Sequence, residues 1–270
     1  LFQHAIKVTK ENYIASNGLG LAFDKQGQPD QAISQYQDAI RLKPDFAEAR
    51  NNLGAVLYET GHTDEAISQI QEAIRLKPDY ANAHDNLGIA FLKQGRIDEA
   101  ISQFQEVIRL QPDNAGAHNN LGNAFGRKNQ IAGAINQFQE AIRLQPDYAA
   151  ACNNLGTALL ANDQADGAIR QYRQAIRLQP GLAGAHHNLG TVLLKKGQID
   201  EAISEFREAI RLQSDYAEAH NNLGTALGQK GQIDAAISEY QEAVRLKPNL
   251  AEARNNLTRA LEMKNAPAGR

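Results

Sequence analysis

Apolar residues recur along the chain in two successive patterns, each with the spacing of one face of an α-helix. In the stretch 47–80 the first pattern comprises Ala49, Leu53, Gly54, Val56 and Leu57, and the second comprises Ala66, Ile67, Ile70, Ala73, Ile74 and Leu76. Side chains three and four residues apart lie on one side of a helix, so each pattern predicts an amphipathic helix. The polar positions between them are expected to face solvent.

Short breaks separate the two predicted helices. Gly61 is a natural C-terminal stop, because glycine readily adopts the left-handed conformation that ends many helices. Asp64 is expected to be the N-cap of the second helix. Pro78 ends the unit, because proline cannot continue a helix interior. Each unit is therefore predicted to be two antiparallel helices joined by a short turn.

The two-helix unit repeats every 34 residues, marked by leucines at 19, 53, 87, 121, 155, 189, 223 and 257. A fixed period of this size indicates stacked helix pairs that share a continuous core. We predict an all-α fold that forms one solenoid over 1–270. It comprises a partial repeat at 1–12, full repeats at 13–46, 47–80, 81–114, 115–148, 149–182, 183–216 and 217–250, a capping helix at 251–264 and a tail at 265–270.

The unit resembles the tetratricopeptide repeat, a 34-residue helix–turn–helix with Leu-Gly in the first helix, a small Ala in the second, then an aromatic residue and a closing Pro. In 81–114 these features are Leu87, Gly88, Ala100, Phe104 and Pro112. The family's Trp is absent, and Val107 replaces its second Ala. The resemblance implies a right-handed superhelix whose concave groove is lined by the first helices.

Asparagine recurs just before the marker leucine, although it is a poor helix former. On a helical projection Asn119, Asn120 and Asn123 lie opposite the apolar arc, and in the resembling family that side faces the groove. A side-chain amide both donates and accepts, so it can bond to a peptide unit without contacting its side chain. We call the residues directly before leucine the ladder asparagines and predict that they bind peptide: Asn52, Asn86, Asn120, Asn154, Asn188, Asn222 and Asn256.

This arrangement resembles the asparagine ladder in the repeats of the O-linked N-acetylglucosamine transferases. The other predicted groove residues are Asn51, Asn119, Asn123, Asn153, Tyr58, Leu92, Lys93, Arg127 and Lys195. The basic residues follow one edge of the groove, where they either favour acidic peptides or form an ordinary solvated surface.

The alternative for the asparagines is structural: the amides bond between neighbouring helices and fix their register. If instead they face solvent, replacing Asn120, Asn154 and Asn188 by alanine is expected to preserve stability and to weaken peptide binding.

Composition narrows the functional classes. A nucleic-acid partner would normally need a basic face, and the net charge of −3 does not indicate one. No apolar run is long enough for direct membrane insertion. The single cysteine, Cys152, stands where other repeats have His84, His118, His186 or His220, and is expected to be a packed thiol. Those histidines lie in separate repeats, too far apart to share a metal. We therefore expect no catalysis and no cofactor.

These features predict a scaffold that binds extended protein or peptide segments. The alternatives are an accessory region of a larger glycosyltransferase-like or membrane-anchored protein, and a self-assembling module. Because Leu1 falls mid-repeat, we expect a fragment of a longer protein, with Phe2 and Ile6 on an apolar surface that favours a homodimer. A cytoplasmic location is expected, with the periplasmic side of a membrane protein as the alternative.

Overall fold

The computed structural model describes residues 12–265, and all the regular secondary structure in this range is α-helical. The predicted all-α class is therefore confirmed. The helices are α1 (Tyr13–Lys25), α2 (Pro29–Leu42), α3 (Ala47–Glu59), α4 (Thr63–Leu76), α5 (Ala81–Lys93), α6 (Ile97–Leu110), α7 (Ala115–Arg127), α8 (Ile131–Leu144), α9 (Ala149–Ala161), α10 (Ala165–Leu178), α11 (Ala183–Lys195), α12 (Ile199–Leu212), α13 (Ala217–Gln229), α14 (Ile233–Leu246) and α15 (Ala251–Asn265).

The helices belong to two compact units, Leu1–Leu144 and Gln145–Arg270. The first unit contains α1 to α8 and the second contains α9 to α15. Within each unit, an odd-numbered first helix packs against the even-numbered second helix that follows it, and each second helix packs against the next first helix. Successive first helices also touch, as α3 and α5 do in the first unit and α13 and α15 in the second.

The two helices of a repeat cross at the glycine that follows the marker leucine. A Cβ atom added at Gly122 would lie 2.6 Å from Cε1 of Phe138, whose ring is 3% exposed. The same test gives 2.4–2.8 Å at the equivalent glycines 20, 54, 88, 156, 190 and 224. A side chain at these positions would displace a buried ring or branched chain, so glycine is required by the packing.

The turns inside the repeats use the left-handed conformation that the sequence predicts. Gly61 has φ +90°, and Asn129 and Asp163, which replace the turn glycine in two repeats, have φ +59° and +57°. Asn and Asp tolerate this region better than most side chains do. The predicted N-cap was wrong, because α4 already begins at Thr63 and Asp64 lies inside its first turn. There its carboxylate complements the positive end of the helix dipole.

Several predictions from the sequence fall on residues that the structure does not describe. They are the partial repeat before residue 12, the apolar surface at Phe2 and Ile6 with the homodimer inferred from it, and the tail after residue 265. Over the range 12–265, no helix combines the length and the apolar character needed to cross a bilayer.

Gly122 and Gly126 of α7 offer a matched test of the helix crossing. We expect Gly122→Ala to destabilise the protein by about 1–3 kcal/mol, because the new methyl overpacks against Phe138. Gly126 has no neighbouring atom within 4 Å of an added Cβ, so Gly126→Ala is expected to be neutral or to stabilise by up to about 1 kcal/mol. Urea unfolding followed by circular dichroism compares the two variants, and equal midpoints would contradict the packing argument.

Candidate functional site

The ladder asparagines donate hydrogen bonds from one repeat to the repeat before it. Nδ2 of Asn52 donates to Oδ1 of Asn17 at 3.1 Å, and Nδ2 of Asn86 donates to Oδ1 of Asn51 at 2.9 Å. Further bonds of the same kind join Asn120 to Asp85 at 3.0 Å, Asn188 to Asn153 at 3.1 Å and Asn256 to Asn221 at 2.9 Å. Within each unit, the amides therefore link successive first helices, as the structural alternative proposed.

Two of the predicted groove asparagines are more deeply buried than the sequence predicted. Asn51 is 4% exposed and Asn119 is 6% exposed, so neither lies open to a ligand. Burial raises the pKa of Tyr80, and a hydrogen bond with the Asn51 side chain partly offsets this shift. The prediction from the helical projection assumed that only the apolar arc of a first helix is covered. In this array a first helix is covered both by its own second helix and by the next repeat. Asn153, which accepts from Asn188, stays half-buried.

The ladder asparagines themselves remain half-buried, which keeps part of each amide accessible. They are Asn52, Asn86, Asn120, Asn154, Asn188, Asn222 and Asn256. Among the described residues, no donor hydrogen-bonds to Oδ1 of Asn52, Asn86 or Asn120, and none of these oxygens is both buried and unpartnered. The carboxylate of Asp85 only accepts, so it fixes the Nδ2 group of Asn120 towards itself. These three asparagines can therefore accept a hydrogen bond from a ligand, and one of the two N–H groups of each Nδ2 already bonds to the preceding repeat.

His187 stands at the ladder acceptor position of its repeat. Its Nε2 atom accepts from Nδ2 of Asn222 at 3.0 Å, and its ring lies 4.8 Å from the Tyr216 ring. Burial lowers the pKa of His187, so the ring is neutral at physiological pH. Asn222 also donates to Oγ1 of Thr191 at 3.3 Å.

Two of the predicted groove cations bind the end of the preceding first helix. Nη1 of Arg127 donates to the Leu92 carbonyl oxygen at 2.7 Å, and Nζ of Lys93 lies 3.4 Å from the Tyr58 carbonyl oxygen and 4.5 Å from the centre of the Tyr58 ring. The last carbonyls of a helix lack intrahelical partners and carry the negative end of its dipole. Lys93 and Arg127 thus cap the first helix of the repeat before their own. Lys195 is exposed at the end of α11.

Successive first helices leave pockets beside the ladder. A pocket of about 140 Å³ in the first unit brings the predicted residues Tyr58 and Asn86 together. We call it the α3–α5 pocket, and its lining is Ala55, Tyr58, Glu59, Ile70, Asn86 and Ile89. In the second unit a pocket of about 320 Å³, the α13–α15 pocket, is lined by Thr225, Gly228, Gln229, Ile233, Ala236, Tyr240, Asn256, Arg259, Ala260 and Met263. Comparing the repeats position by position would have indicated both, because Ala55 and Gly228 are smaller than most of their counterparts.

The histidines join the first helix to the second helix and to the loop before it. Nδ1 of His84 lies 2.7 Å from Oε1 of Gln103, and Nε2 lies 2.9 Å from the Pro78 carbonyl oxygen. In the second unit the partner is a carboxylate instead, since Nδ1 of His220 lies 2.7 Å from Oε2 of Glu239. Its Nε2 atom lies 3.3 Å from a carbonyl oxygen, so only a protonated ring donates to both neighbours.

Cys152 and the histidines form no reactive site among the described residues. Cys152 is 1% exposed, and burial raises the pKa of its thiol, which disfavours the nucleophilic thiolate. Over residues 12–265 no cluster of three or more His, Cys, Asp or Glu side chains is placed to hold a metal ion.

The inter-repeat bonds change the expected effect of removing a ladder amide. Asn86→Ala leaves Oδ1 of the buried Asn51 without the donor of Asn86, so we expect a loss of about 1–3 kcal/mol. The sequence predicted preserved stability when the equivalent residues Asn120, Asn154 and Asn188 are replaced. The control is Asn123→Ala, because no hydrogen bond is found for that side chain among the described residues and alanine is the better helix former. Urea unfolding of both variants and of the Asn51→Ala and Asn86→Ala double-mutant cycle measures the coupling. A coupling near zero would exclude a structural role for the pair.

His220 makes stability depend on pH with a defined sign. The Glu239 carboxylate raises the pKa of His220 above its usual range, with smaller contributions from the Ser214 carbonyl and Glu242. The protonated ring therefore stabilises the fold fully below about pH 6.5, and this contribution is lost as the pH rises through the raised pKa. Glu239→Gln recreates the partner seen at Gln103 and should reduce the difference in unfolding free energy between pH 5.5 and pH 8. The lowered pKa of His187 acts equally in both proteins, so an unchanged pH dependence in the variant would contradict the assignment.

Two family models match the sequence. The model described as the cilia and flagella-associated protein 70 C-terminal domain matches residues 79–269, more than half of the chain. A tetratricopeptide repeat model matches residues 17–81. A search of the curated proteins gave no match.

Three solved structures illustrate the shared fold. The APC/C hetero-tetramer Cut9-Hcn1 aligns with 97% of this chain at 20% identity and a TM-score of 0.79, and the match covers 51% of that chain. This chain thus spans about half the length of that relative. PilF of Pseudomonas aeruginosa has 20% identity and a TM-score of 0.70, over 79% of this chain and 97% of its own. YrrB has 22% identity and a TM-score of 0.54, over 69% of this chain and 96% of its own. With the repeat pattern, the paired helices and both family models in agreement, the chain belongs to the tetratricopeptide-repeat family.

Proposed function

We propose that this chain is a non-catalytic scaffold that binds extended protein segments beside its ladder asparagines. The family assignment supports a protein–protein interaction scaffold in general, because tetratricopeptide repeat proteins typically bind proteins or peptides. YrrB is described as a repeat protein with an unusual peptide-binding site. The observation that carries the finer proposal is the α3–α5 pocket, which lies directly beside a ladder amide.

The α3–α5 pocket combines apolar walls with a polar rim. Its apolar lining includes Ala55, Ile89 and the fully buried Ile70, and its polar lining is Asn86 and Glu59. An aliphatic side chain of a bound segment would bury its surface there, which stabilises binding by about 0.8 kcal/mol per methylene group. At the same time Oδ1 of Asn86 has room to accept a backbone N–H from that segment.

The ladder therefore has a more limited part in binding than the sequence suggested. Asn52, Asn86 and Asn120 each offer a side-chain carbonyl oxygen as acceptor, and a neutral hydrogen bond of this kind contributes about 0.5–1.5 kcal/mol. Backbone contacts of this strength favour an extended segment without selecting its side chains. Affinity and selectivity must then come largely from the pockets beside the ladder asparagines.

The test fills the α3–α5 pocket from its own wall. Random dodecapeptides displayed on phage are selected on the full chain, and the affinity of the best binders is then measured by fluorescence anisotropy. Ala55→Leu should weaken peptides that use this pocket at least tenfold. Leucine and isoleucine stand at the equivalent positions Leu21 and Ile89, so the substitution suits the helix.

Ser68→Leu is the matched control, because it adds the same side chain at an exposed position of α4. It should leave the affinities unchanged, and circular dichroism verifies that both variants fold. Failure to select any peptide, or equal binding of every selected peptide to Ala55→Leu and to the wild-type chain, would overturn the proposal.

A further inference from the structure

The α13–α15 pocket and the α3–α5 pocket occupy the same place in their repeats. All six residues that line the α3–α5 pocket have a counterpart five repeats later that lines the α13–α15 pocket. In the same order, these counterparts are Thr225, Gly228, Gln229, Tyr240, Asn256 and Arg259. The same kind of pocket thus forms in both units with different lining residues. The differences between the two linings therefore indicate which ligand each pocket prefers.

The α13–α15 pocket has more than twice the volume of the α3–α5 pocket, and Gly228 lines it where Tyr58 lines the smaller one. Four of the six counterpart positions carry larger apolar or aromatic residues, Tyr58, Leu92, Leu160 and Leu194, and the other two carry Asp24 and Gly126. A Cβ atom added at Gly228 would meet only Cβ of Ala236 at 3.8 Å and Oη of Tyr240 at 3.9 Å, which are ordinary contacts. Packing therefore does not require this glycine, although glycine is a poor helix former. The space that it leaves is available to a ligand.

Arg259 places a cation in the wall of this open pocket. The counterpart positions carry neutral residues in all seven preceding repeats: Leu21, Ala55, Ile89, Asn123, Thr157, Thr191 and Thr225. In the part of the chain that the structure describes, no carboxylate forms an ion pair with Arg259, whereas Arg245 on the neighbouring helix lies 2.5 Å from Glu242. Apolar Ile233, Ala260 and Met263 share the lining with Arg259. A guanidinium beside apolar surface suits a planar carboxylate, which it binds through two parallel hydrogen bonds.

The remaining polar groups of the pocket suit the backbone of an extended segment. Nδ2 of Asn256 donates to Asn221 at 2.9 Å, so its Oδ1 atom is left to accept a backbone N–H. The Tyr240 hydroxyl donates to Oγ1 of Thr225 at 3.3 Å and keeps an acceptor lone pair. The pocket therefore presents a cation, an apolar space and an amide acceptor to one ligand.

We propose that the α13–α15 pocket binds an extended protein segment through a carboxylate that pairs with Arg259, next to an apolar side chain that fills the space above Gly228. This inference rests on the proposed function and names the chemistry of one of its ligands. The α3–α5 pocket has Ile89 and Glu59 where this one has Arg259 and Gln229, so it does not share the preference.

The experiment selects the same displayed dodecapeptide library on the full wild-type chain and on the Gly228→Leu variant. Leucine already occupies the counterpart positions 92, 160 and 194, so the variant fills the pocket with a side chain that the repeat accommodates. Peptides retained by the wild-type chain and lost on Gly228→Leu should be enriched in Asp or Glu beside an apolar residue. Gly126→Leu is the matched control, because it changes the counterpart glycine in the first unit and should leave this peptide set bound.

Arg259→Thr then tests the ion pair, with threonine taken from the counterpart Thr225. We expect the best acidic peptide to bind this variant at least tenfold more weakly than the wild-type chain, with a smaller dependence on salt. The same peptide with Asn in place of Asp should lose affinity for the wild-type chain but little for Arg259→Thr. Amidating the peptide's C-terminus separates the two sources of carboxylate: loss of binding identifies the terminal carboxylate, and retention identifies the side chain.

Equal affinity of acidic peptides for Arg259→Thr and the wild-type chain would overturn this inference, as would an unchanged peptide set on Gly228→Leu. If Ala55→Leu still removes its own peptides, the proposed function survives and only the acidic pocket fails. If no peptide is selected on the wild-type chain, both proposals fail together.

Discussion

The first helix of each interior repeat must be covered on two sides at once, and the other features of the array follow from this constraint. One side packs against the second helix of the same repeat, where Gly122 and Phe138 show how little room the crossing leaves. Another side meets the first helix of the next repeat, where Asn51 accepts from Asn86. A helix pair cannot bury both sides alone, so neighbouring repeats stabilise each other. Whatever surface remains uncovered is the part available to a partner.

Amide pairs suit the contact between first helices because they set its register as well as its strength. An apolar contact there would bury similar area, but it would tolerate small shifts along the helix. An amide donor that reaches a buried amide acceptor at 2.9 Å is satisfied in one register only, and a shift leaves Asn51 unpaired. The asparagines lose helix propensity in exchange for this specificity. At Asn52, Asn86 and Asn120 the same bond uses one of the two N–H groups of the amide and leaves its carbonyl oxygen without a donor among the described residues.

The repeat period, the helix pairs and the turns could be predicted from the sequence because they depend on local chemistry. Gly61 adopts positive φ for a reason that its own residue type explains, and the glycine and ring of a crossing recur at fixed spacing. The burial of Asn51 could not be predicted in this way, because it depends on how closely the next repeat approaches. The same holds for Arg127, which resembles a groove cation in sequence but caps the carbonyl of Leu92 in space. Local patterns thus identify the elements, whereas contacts between repeats decide which polar side chains remain accessible.

Differences between repeats matter more for selectivity than the features that they share. The ladder amide is present at both Asn86 and Asn256, and in each case Nδ2 donates to the preceding first helix at 2.9 Å. The side chains around it differ: a tyrosine and an isoleucine border Asn86, whereas a glycine and an arginine border Asn256. Five of the six counterpart residues differ between the two pockets, and both the volume and the charge of the pocket differ with them. A repeat array can therefore change the ligand that one inter-repeat pocket binds, while the contacts between its repeats stay the same.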